Sequence, residues 1–353
     1  MRTILVTATE ESTGKTAVAL ALASLAREQG LDVGYMKPKG TRLRSAVGKT
    51  RDEDPLLARE LLGIEAELHE MEPVVYSPTF VREAVRGREN PEEIRERVRE
   101  AFDDLADGRD LMVVEGGGAL GTGGVVDLTD ADIAELLDAE VVLISEYGEI
   151  RDVDEVLGAT QDVGDRLVGV LFNAVADAAY DELEGDVTAY LEGRAIPVVG
   201  VVPRVSDLAG VTIEQLAREL GARILTTEAP TDTTVERFSV GAMSAESALR
   251  HFRRTRDAAV ITGGDRSDVQ TAALEAPGVR ALVLTGGHRP ASAVLGKAEE
   301  KGVPVLLVDT DTLTTVDRAE DVVQTGRTQD AETVERMVEL LEAHVDVGEI
   351  FGG

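Results

Sequence analysis

The chain has 353 residues, of which 43% are hydrophobic and only 3% aromatic, and it contains neither Cys nor Trp. It carries 67 acidic against 36 basic residues, a net charge of −31. This balance excludes disulfides and thiolate metal sites, and it argues against general nucleic-acid binding, which needs a positive surface for the phosphate backbone.

The length suits two domains, with cores built from Val, Leu, Ile and Ala. No apolar stretch approaches the length of a bilayer crossing, and the start MRTILVTAT lacks the form of a signal peptide. A cytoplasmic protein with no membrane partner is the expectation. The acid is spread along a chain that keeps its apolar periodicity, so order rather than disorder is expected. Only six of the basic residues are Lys. We read the charge as adaptation to a high-salt cytoplasm, because such a surface repels itself in dilute salt and is screened in concentrated salt.

Taken in order, Ile4 to Val6 form an apolar strand entering a turn that ends Gly14-Lys15-Thr16, and AVALALASLAREQG follows at helical spacing. Strand, phosphate-binding turn, helix is the natural reading, with Thr9 where the usual G-x-x-x-x-G-K-[ST] motif has its first Gly. Backbone N–H groups of the turn can cradle phosphate oxygens, Lys15 can neutralise the β- and γ-phosphates, and Thr16 can hold Mg²⁺. LDVGYMKPKG predicts a second strand ending near Lys37. Residues 41–51 read as a polar, basic loop, Asp54 opens a helical stretch, and 70–90 read as an extended or lid-like connection. A helix with Asn90 as N-cap and Pro91 at its first position covers 90–106. DLMVVEGGGALGTGG at 110–124 is a buried strand breaking into a glycine-rich loop. Strands at 139–146, 166–175 and 195–205 then alternate with helices. The result is an α/β fold, a P-loop NTPase-like parallel sheet with helices on both faces, over residues 1–210. A smaller α/β domain is expected at 211–325, in which an apolar strand, TGG and a helix occur twice, at 260–264 and 282–287. A C-terminal helix and an extended tail are expected at 326–353.

Lys37 lies at the carboxyl edge of the sheet, where open α/β folds bind ligands, and can reach a phosphoryl group or an anionic substrate. Lys39 is the alternative, or simply a surface residue. Asp54 and Glu115 are carried to the same edge, so Thr16, Asp54 and Glu115 supply the oxygen ligands that a nucleotide-bound Mg²⁺ takes. Gly116, Gly117 and Gly118 let a substrate approach the backbone, or simply make a tight turn. Asn173 can read a base edge or cap a loop. The four His residues are scattered without ligand spacing. The set suits phosphoryl transfer by positioning and charge neutralisation.

TATEESTGKT, GYMKPKG, the DEDP segment, VVEGGGALG and GVLFNAV occur in the order and rough spacing of dethiobiotin synthetase. They also resemble the related amino-terminal domain of some bacterial phosphotransacetylases. The resemblance covers about 1–205 and implies ATP and Mg²⁺ as cofactors. It implies catalytic roles for Lys15 and Lys37, nucleotide contacts from Glu10, Gly14, Lys15, Thr16, Ala17 and Asn173, and metal ligands at Thr16, Asp54 and Glu115. It also implies a homodimer. Two departures stand out. Ala8 and Glu10 replace a Gly and an Asp of the family, and PKGTRLR follows Lys37 where the family has small neutral residues, which suggests a more anionic or different substrate. Residues 214–325 resemble the DRTGG domain through ITGGDRSDV and VLTGGHRPASAV, with Gly263, Gly264, Asp265 and Arg266 as core motif and Thr285, Gly286 and Gly287 as second loop.

Two readings follow. One is an ATP-dependent, ligase-like enzyme acting on a small carboxylated, anionic substrate. The other is a non-catalytic or weakly hydrolytic adenine-nucleotide sensor that takes a regulatory nucleotide and acts on a metabolic enzyme such as a separate phosphotransacetylase. Phosphotransacetylase activity itself is not expected, as the sequence holds no counterpart of that catalytic domain. The charge makes a direct prediction: thermal stability should rise steadily as KCl is raised from about 0.1 M to about 1 M, where the Debye length falls from about 10 Å to about 3 Å. Melting followed by circular dichroism checks it, and a flat or falling Tm would remove the high-salt reading.

Overall fold

The computed structural model of the chain describes residues 1–352 apart from 42, 47–48, 206–207, 209 and 326–330. The chain divides into two units, one formed by Met1–Arg204 with Thr328–Gly353, the other by Val205–Arg327.

The first unit is built on six strands: β1 Arg2–Ala8, β2 Val33–Met36, β3 Leu111–Glu115, β4 Glu140–Ser145, β5 Leu167–Val175 and β6 Val198–Pro203. Their spatial order is β6-β5-β4-β1-β3-β2, and every pair is parallel. β2 and β3 are buried along their whole length, which is why they read as unbroken apolar runs rather than alternating ones. β1 lies between β3 and β4: the crossover from β1 runs past β3 to β2 on one side, the crossover from β3 passes β1 to β4 on the other, and a crevice opens at the carboxyl end of β1. The first helix, Lys15–Glu28, is buried over most of its surface, because Ala and Leu fill its length and it is covered on its outer side as well.

That outer cover is the C-terminal helix Ala331–His344, which packs against the first helix through Val334, Met337, Leu340 and Leu341. The segment that the sequence set apart as helix and tail therefore belongs to the first unit. Its last residues are not extended: Val347–Phe351 form a short helix that buries Ile350. Between the two helices the chain crosses the outer strand β6. The Asp346 amide donates to Val199 O at 2.8 Å, and Val345 bridges Gly200. A Cβ on Gly200 would sit 2.5 Å from His344 O, so this approach needs glycine. The edge of the sheet is thereby covered over part of its length.

Two other expectations are corrected. Residues 41–51 are not a plain loop: Leu43–Ala46 and Lys49–Asp52 pair antiparallel and deliver Asp52 and Asp54 toward the sheet edge. Arg42 and the side chain of Arg44, part of the basic run read as substrate-facing, lie outside the described residues. The connection at 70–90 is helical in two places, Leu68–Met71 and Pro78–Val85, the latter capped by the Ser77 hydroxyl, which accepts from the Phe80 amide at 3.1 Å. A capping Ser followed by Pro explains the start; at eight residues the helix is too short for its apolar spacing to tell it from an extended connection.

The main sheet of the second unit has five strands: β7 Arg223–Ile224, β8 Arg237–Val240, β9 Ala258–Gly263, β10 Val279–Thr285 and β11 Val305–Leu307. Their order is β7-β11-β10-β9-β8, parallel except for β7. Side-chain alternation splits the core into two layers: Val260, Leu282 and Phe252 pack on one face, Ile261, Val283 and Leu216 on the other. Among the described residues no helix is long and apolar enough to cross a membrane.

Leu341 of the C-terminal helix is fully buried. Leu341→Ala should therefore destabilise the first unit by about 2–5 kcal/mol, read as a lower denaturation midpoint.

Candidate functional site

The site grows from the carboxyl end of β1. The chain leaves the strand at Ala8, the Thr9 amide donates to Ile144 O at 3.0 Å, and Ser12 and Gly14 both take positive φ, 61° and 89°. The turn is held from the side by Asn173 of β5, whose Nδ2 donates to Thr13 O at 2.8 Å. A Cβ on Gly14 would meet that Nδ2 at 2.6 Å, so the Gly is required twice over, by φ and by the brace. In this structure, then, Asn173 caps the loop. The first helix has no acidic residue of its own in its first turn. Lys15 is buried at that end and its Nζ donates to Glu10 O at 3.1 Å; Ala17 is buried in the same turn. The Thr13 hydroxyl is buried without a hydrogen-bond partner, a polar atom turned into the turn itself. The Glu10 carboxyl is raised above its ordinary range by burial and by its hydrogen bond to Glu155, with Glu146 and Asp152 adding repulsion.

At the same edge lies a buried charge cluster. Met36 of β2 is in register with Val114 of β3, so Lys37 and Glu115 leave their strands side by side. Lys37 Nζ is 2.9 Å from Asp52 Oδ2 and 3.3 Å from Glu115 Oε1, and it also bonds Asp54 Oδ2. The Thr16 hydroxyl is 3.1 Å from the same Asp54 oxygen and 2.8 Å from the same Glu115 oxygen. Tyr35 donates its hydroxyl to Glu115 Oε2 at 2.6 Å. Asp52 is fixed by backbone amides: its Oδ1 accepts from Asp54 N at 3.1 Å and its Oδ2 from Thr41 N at 3.0 Å.

Burial alone would lower the Lys37 ammonium, but the charges of Asp54, Glu115 and Asp52 outweigh it and raise its pKa above the ordinary lysine value. Burial pushes the Glu115 carboxyl up; Lys37 pulls it back, Asp54 pushes it further, and the Tyr35 and Thr16 hydrogen bonds pull it down, for a net rise. Tyr35 is held well above its usual range, by burial first and then by the charge of Glu115.

The structure thus brings together Lys15, Thr16, Lys37, Asp54 and Glu115, and adds Asp52 and Tyr35, which sequence reasoning missed. A signal existed for both: Asp52 stands two residues before Asp54, and Tyr35 two before Lys37, on the same side of an alternating strand. Among the described residues no group of three or more His, Cys, Asp or Glu is arranged as a metal site. The donor set that fits Mg²⁺ is mixed, one hydroxyl and two carboxylates, and the Thr16 hydroxyl already lies within hydrogen-bond distance of one oxygen of each carboxylate.

Lys39 is neither a surface residue nor a second ligand-facing cation. It is fully buried, pairs with Asp130 and donates to Leu128 O at 2.9 Å. Asp130 also accepts from the Thr7 hydroxyl at 2.5 Å. This pair underlies the glycine loop. A Cβ on Gly116 would sit 2.0 Å from Asp130 Oδ2, and one on Gly117 would sit 2.3 Å from Lys39 O; Gly118 has φ 81° and abuts Thr122. Packing alone therefore demands these three glycines.

In the second unit, Gly264, Gly286 and Gly287 have comparable grounds. A Cβ on Gly264 would meet His288 O at 1.9 Å, and the other two take φ 78° and 70°. Arg266 ties the turn to the preceding strand's exit, donating to Gly241 O at 2.8 Å and Met243 O at 2.6 Å. Thr285 shares a hydrogen bond with Thr312 at 2.8 Å, and Asp265 lies over Gly263. The motif residues are gathered at the carboxyl ends of β9 and β10.

Comparison with known proteins agrees with this architecture. A phosphate acetyltransferase of Nitratidesulfovibrio vulgaris is 25% identical over 364 residues, covering 98% of this chain and 50% of that protein. One of Pseudomonas putida is 24% identical, covering 98% of this chain and 51% of that protein. The chain therefore spans about half the length of these curated relatives. An ATP-dependent dethiobiotin synthetase of Methanocaldococcus jannaschii is 27% identical over 180 residues, covering 49% of this chain and 80% of that protein. The model of the DRTGG domain matches residues 215–322. The model of the AAA domain matches residues 2–212, more than half of the sequence, and the chain belongs to that family: a P-loop NTPase-type domain joined to a DRTGG domain and distantly related to dethiobiotin synthetases.

Proposed function

We propose that the first unit binds ATP with Mg²⁺ and activates a small carboxylated substrate by phosphoryl transfer, in the manner of dethiobiotin synthetase-type ligases. The observation that carries this reading is the Thr16 hydroxyl, which lies within hydrogen-bond reach of Asp54 and Glu115 at once, with Lys37 on the same two oxygens. A packing role does not call for a hydroxyl, two carboxylates and an ammonium together at the crevice of a parallel sheet.

On this reading the turn from Glu10 to Gly14 and the positive end of the first helix receive the phosphates. Lys15 neutralises the outer phosphates, and Thr16, Asp54 and Glu115 would hold Mg²⁺, which supplies charge neutralisation on the transferring group. Asn173 keeps the turn in its binding shape through Thr13 O. Lys37 stays protonated through the neutral range and offers its ammonium to the transferred group or to the substrate anion.

A second reading is favoured by the DRTGG domain match and by the burial of Lys39 against Asp130. It is a nucleotide sensor in which ATP is bound but turned over slowly or not at all, acting on a metabolic enzyme. Function as a homodimer in a high-salt cytoplasm belongs to either reading.

ADP release from ATP and Mg²⁺ in multimolar KCl, with and without small dicarboxylates, diamines and bicarbonate, separates them. We expect release to need one substrate, and Lys15→Ala and Lys37→Ala each to lower it by about 10²–10³-fold. ATP binding without stimulated release, unchanged in Lys37→Ala, would leave the sensor.

Glu115 gives an independent prediction. Its raised carboxyl contributes stability below the unfolded Glu pKa and loses it as pH rises through the folded value, so its ionised form works against the nucleotide-free fold at neutral pH. Glu115→Gln should therefore gain stability relative to the parent as pH rises from about 4 to about 7, while losing Mg²⁺-dependent nucleotide binding. Urea unfolding at several pH values and ATP titration with and without Mg²⁺ check the two halves.

A further inference from the structure

We propose that Lys37 is a built-in counter-ion that a divalent cation must displace from Asp54 and Glu115, and that Asp52 is the positioning residue that keeps its ammonium when this happens. The inference rests on the reading of Thr16, Asp54 and Glu115 as the metal-facing set.

The argument is atomic. Asp54 Oδ2 is shared by the Thr16 hydroxyl and the Lys37 ammonium, and Glu115 Oε1 is shared by the same two groups. A magnesium ion needs its oxygens at about 2.0–2.1 Å in a near-octahedral shell. The ammonium engages the two oxygens that such a shell would use, so ion and ammonium cannot both hold them. Among the described residues three carboxylates surround the Lys37 ammonium, and all four groups are buried. The Lys37 charge offsets part of the cost of that burial.

Asp52 differs from the other two carboxylates. Its oxygens are already fixed by the amides of Asp54 and Thr41, and its contact with Lys37 uses Oδ2. The backbone holds this carboxylate in place whatever happens at Asp54 and Glu115. Lys37 can therefore give up those two oxygens and remain anchored, turned toward the crevice rather than released into it. Entry of the divalent ion and presentation of the Lys37 ammonium to a bound anion become one event. The nucleotide-free protein is kept from taking up the ion by itself.

Mn²⁺ is the probe. Its binding to the nucleotide-free full chain, followed by electron paramagnetic resonance in multimolar KCl, should be weak in the parent and tighter by about tenfold or more in Lys37→Met, where the competing charge is gone. Asp52→Asn should weaken Mn²⁺ binding by about threefold, because Lys37 then depends wholly on Asp54 and Glu115. Thermal denaturation gives a second readout: saturating Mn²⁺ should raise the Tm of Lys37→Met more than that of the parent, and a Lys37→Met that folds only with Mn²⁺ is the extreme of the same result. A folded Lys37→Met with unchanged or weaker Mn²⁺ affinity overturns the proposal. Should Lys37→Met not fold at all, Asp52→Asn decides, and unchanged or tighter Mn²⁺ binding there overturns it too. If no form of the protein takes up Mn²⁺ even with ATP present, the nucleotide-site reading itself has failed; uptake with ATP but no gain in Lys37→Met overturns only the inference about Lys37.

Discussion

A lysine ammonium buried among three carboxylates sets the terms for the first unit. Asp52 and Asp54 come from the end of a hairpin and the helix start after it, Glu115 from β3 and Lys37 from the end of β2. Breaking such a cluster by removing one partner leaves a buried charge without compensation, which costs several kcal/mol, whereas a well-packed apolar replacement costs little. A fold selected for stability alone has no reason to keep it. The cluster therefore constrains everything near it. β2 and β3 must be neighbours in the observed register, the hairpin must close, and Tyr35 must point the same way as Lys37 to supply Glu115 with a further donor. A slip of one residue in β2 would turn both side chains to the other face of the sheet.

The sequence made some of this legible and hid the rest for physical reasons. Lys15 and Thr16 sit in a short contiguous motif between an apolar strand and a helix, and local pattern is enough to place them. Glu115 was readable because a carboxylate at the end of a buried strand and ahead of three glycines has few structural explanations. Asp130 was not readable, and Asp52 only through its place two residues before Asp54. An acidic residue in a chain with 67 of them carries no information until its neighbours in space are known. Lys39 looked like a surface residue because Lys usually is one, and its partner stands 91 positions away. The helical pieces between 68 and 85 were missed because they run for only four and eight residues, too short for a helical period to stand out.

Glycine illustrates the same limit from the other side. The TGG echoes and the run Gly116–Gly118 stand out in sequence as loops suited to a close ligand. The structure supplies a reason for them that needs no ligand: Asp130, Lys39 and Thr122 fill the space beside one loop, and His288 fills it beside the other. Close approach to the protein's own backbone and close approach to a phosphate make the same demand on a residue, namely the absence of Cβ. A glycine motif therefore marks where the backbone must pass closely. It takes an independent feature, such as the shared Thr16 hydroxyl, to argue for chemistry.

The Lys39–Asp130 pair bears on what the proposed substrate site can recognise. Of the two lysines in the KPKG segment, one is neutralised beneath the glycine loop, where it bonds Asp130 and the Leu128 carbonyl and supports Gly117 from below. The Lys39 charge that the sequence offers to an anionic substrate is thus directed into the fold. Its effect on the site is mechanical: the loop after Glu115 is propped by an ion pair, and the Thr7 hydroxyl on the same carboxylate links that prop to β1, the strand that leads into the turn from Thr9 to Gly14. The turn and the glycine loop are two faces of one crevice, and this chain of bonds fixes the distance between them. On the proposed reading, substrate and nucleotide would meet across a rigid gap, with Lys37 as the one cationic side chain among the described residues of this segment placed to respond to what enters it.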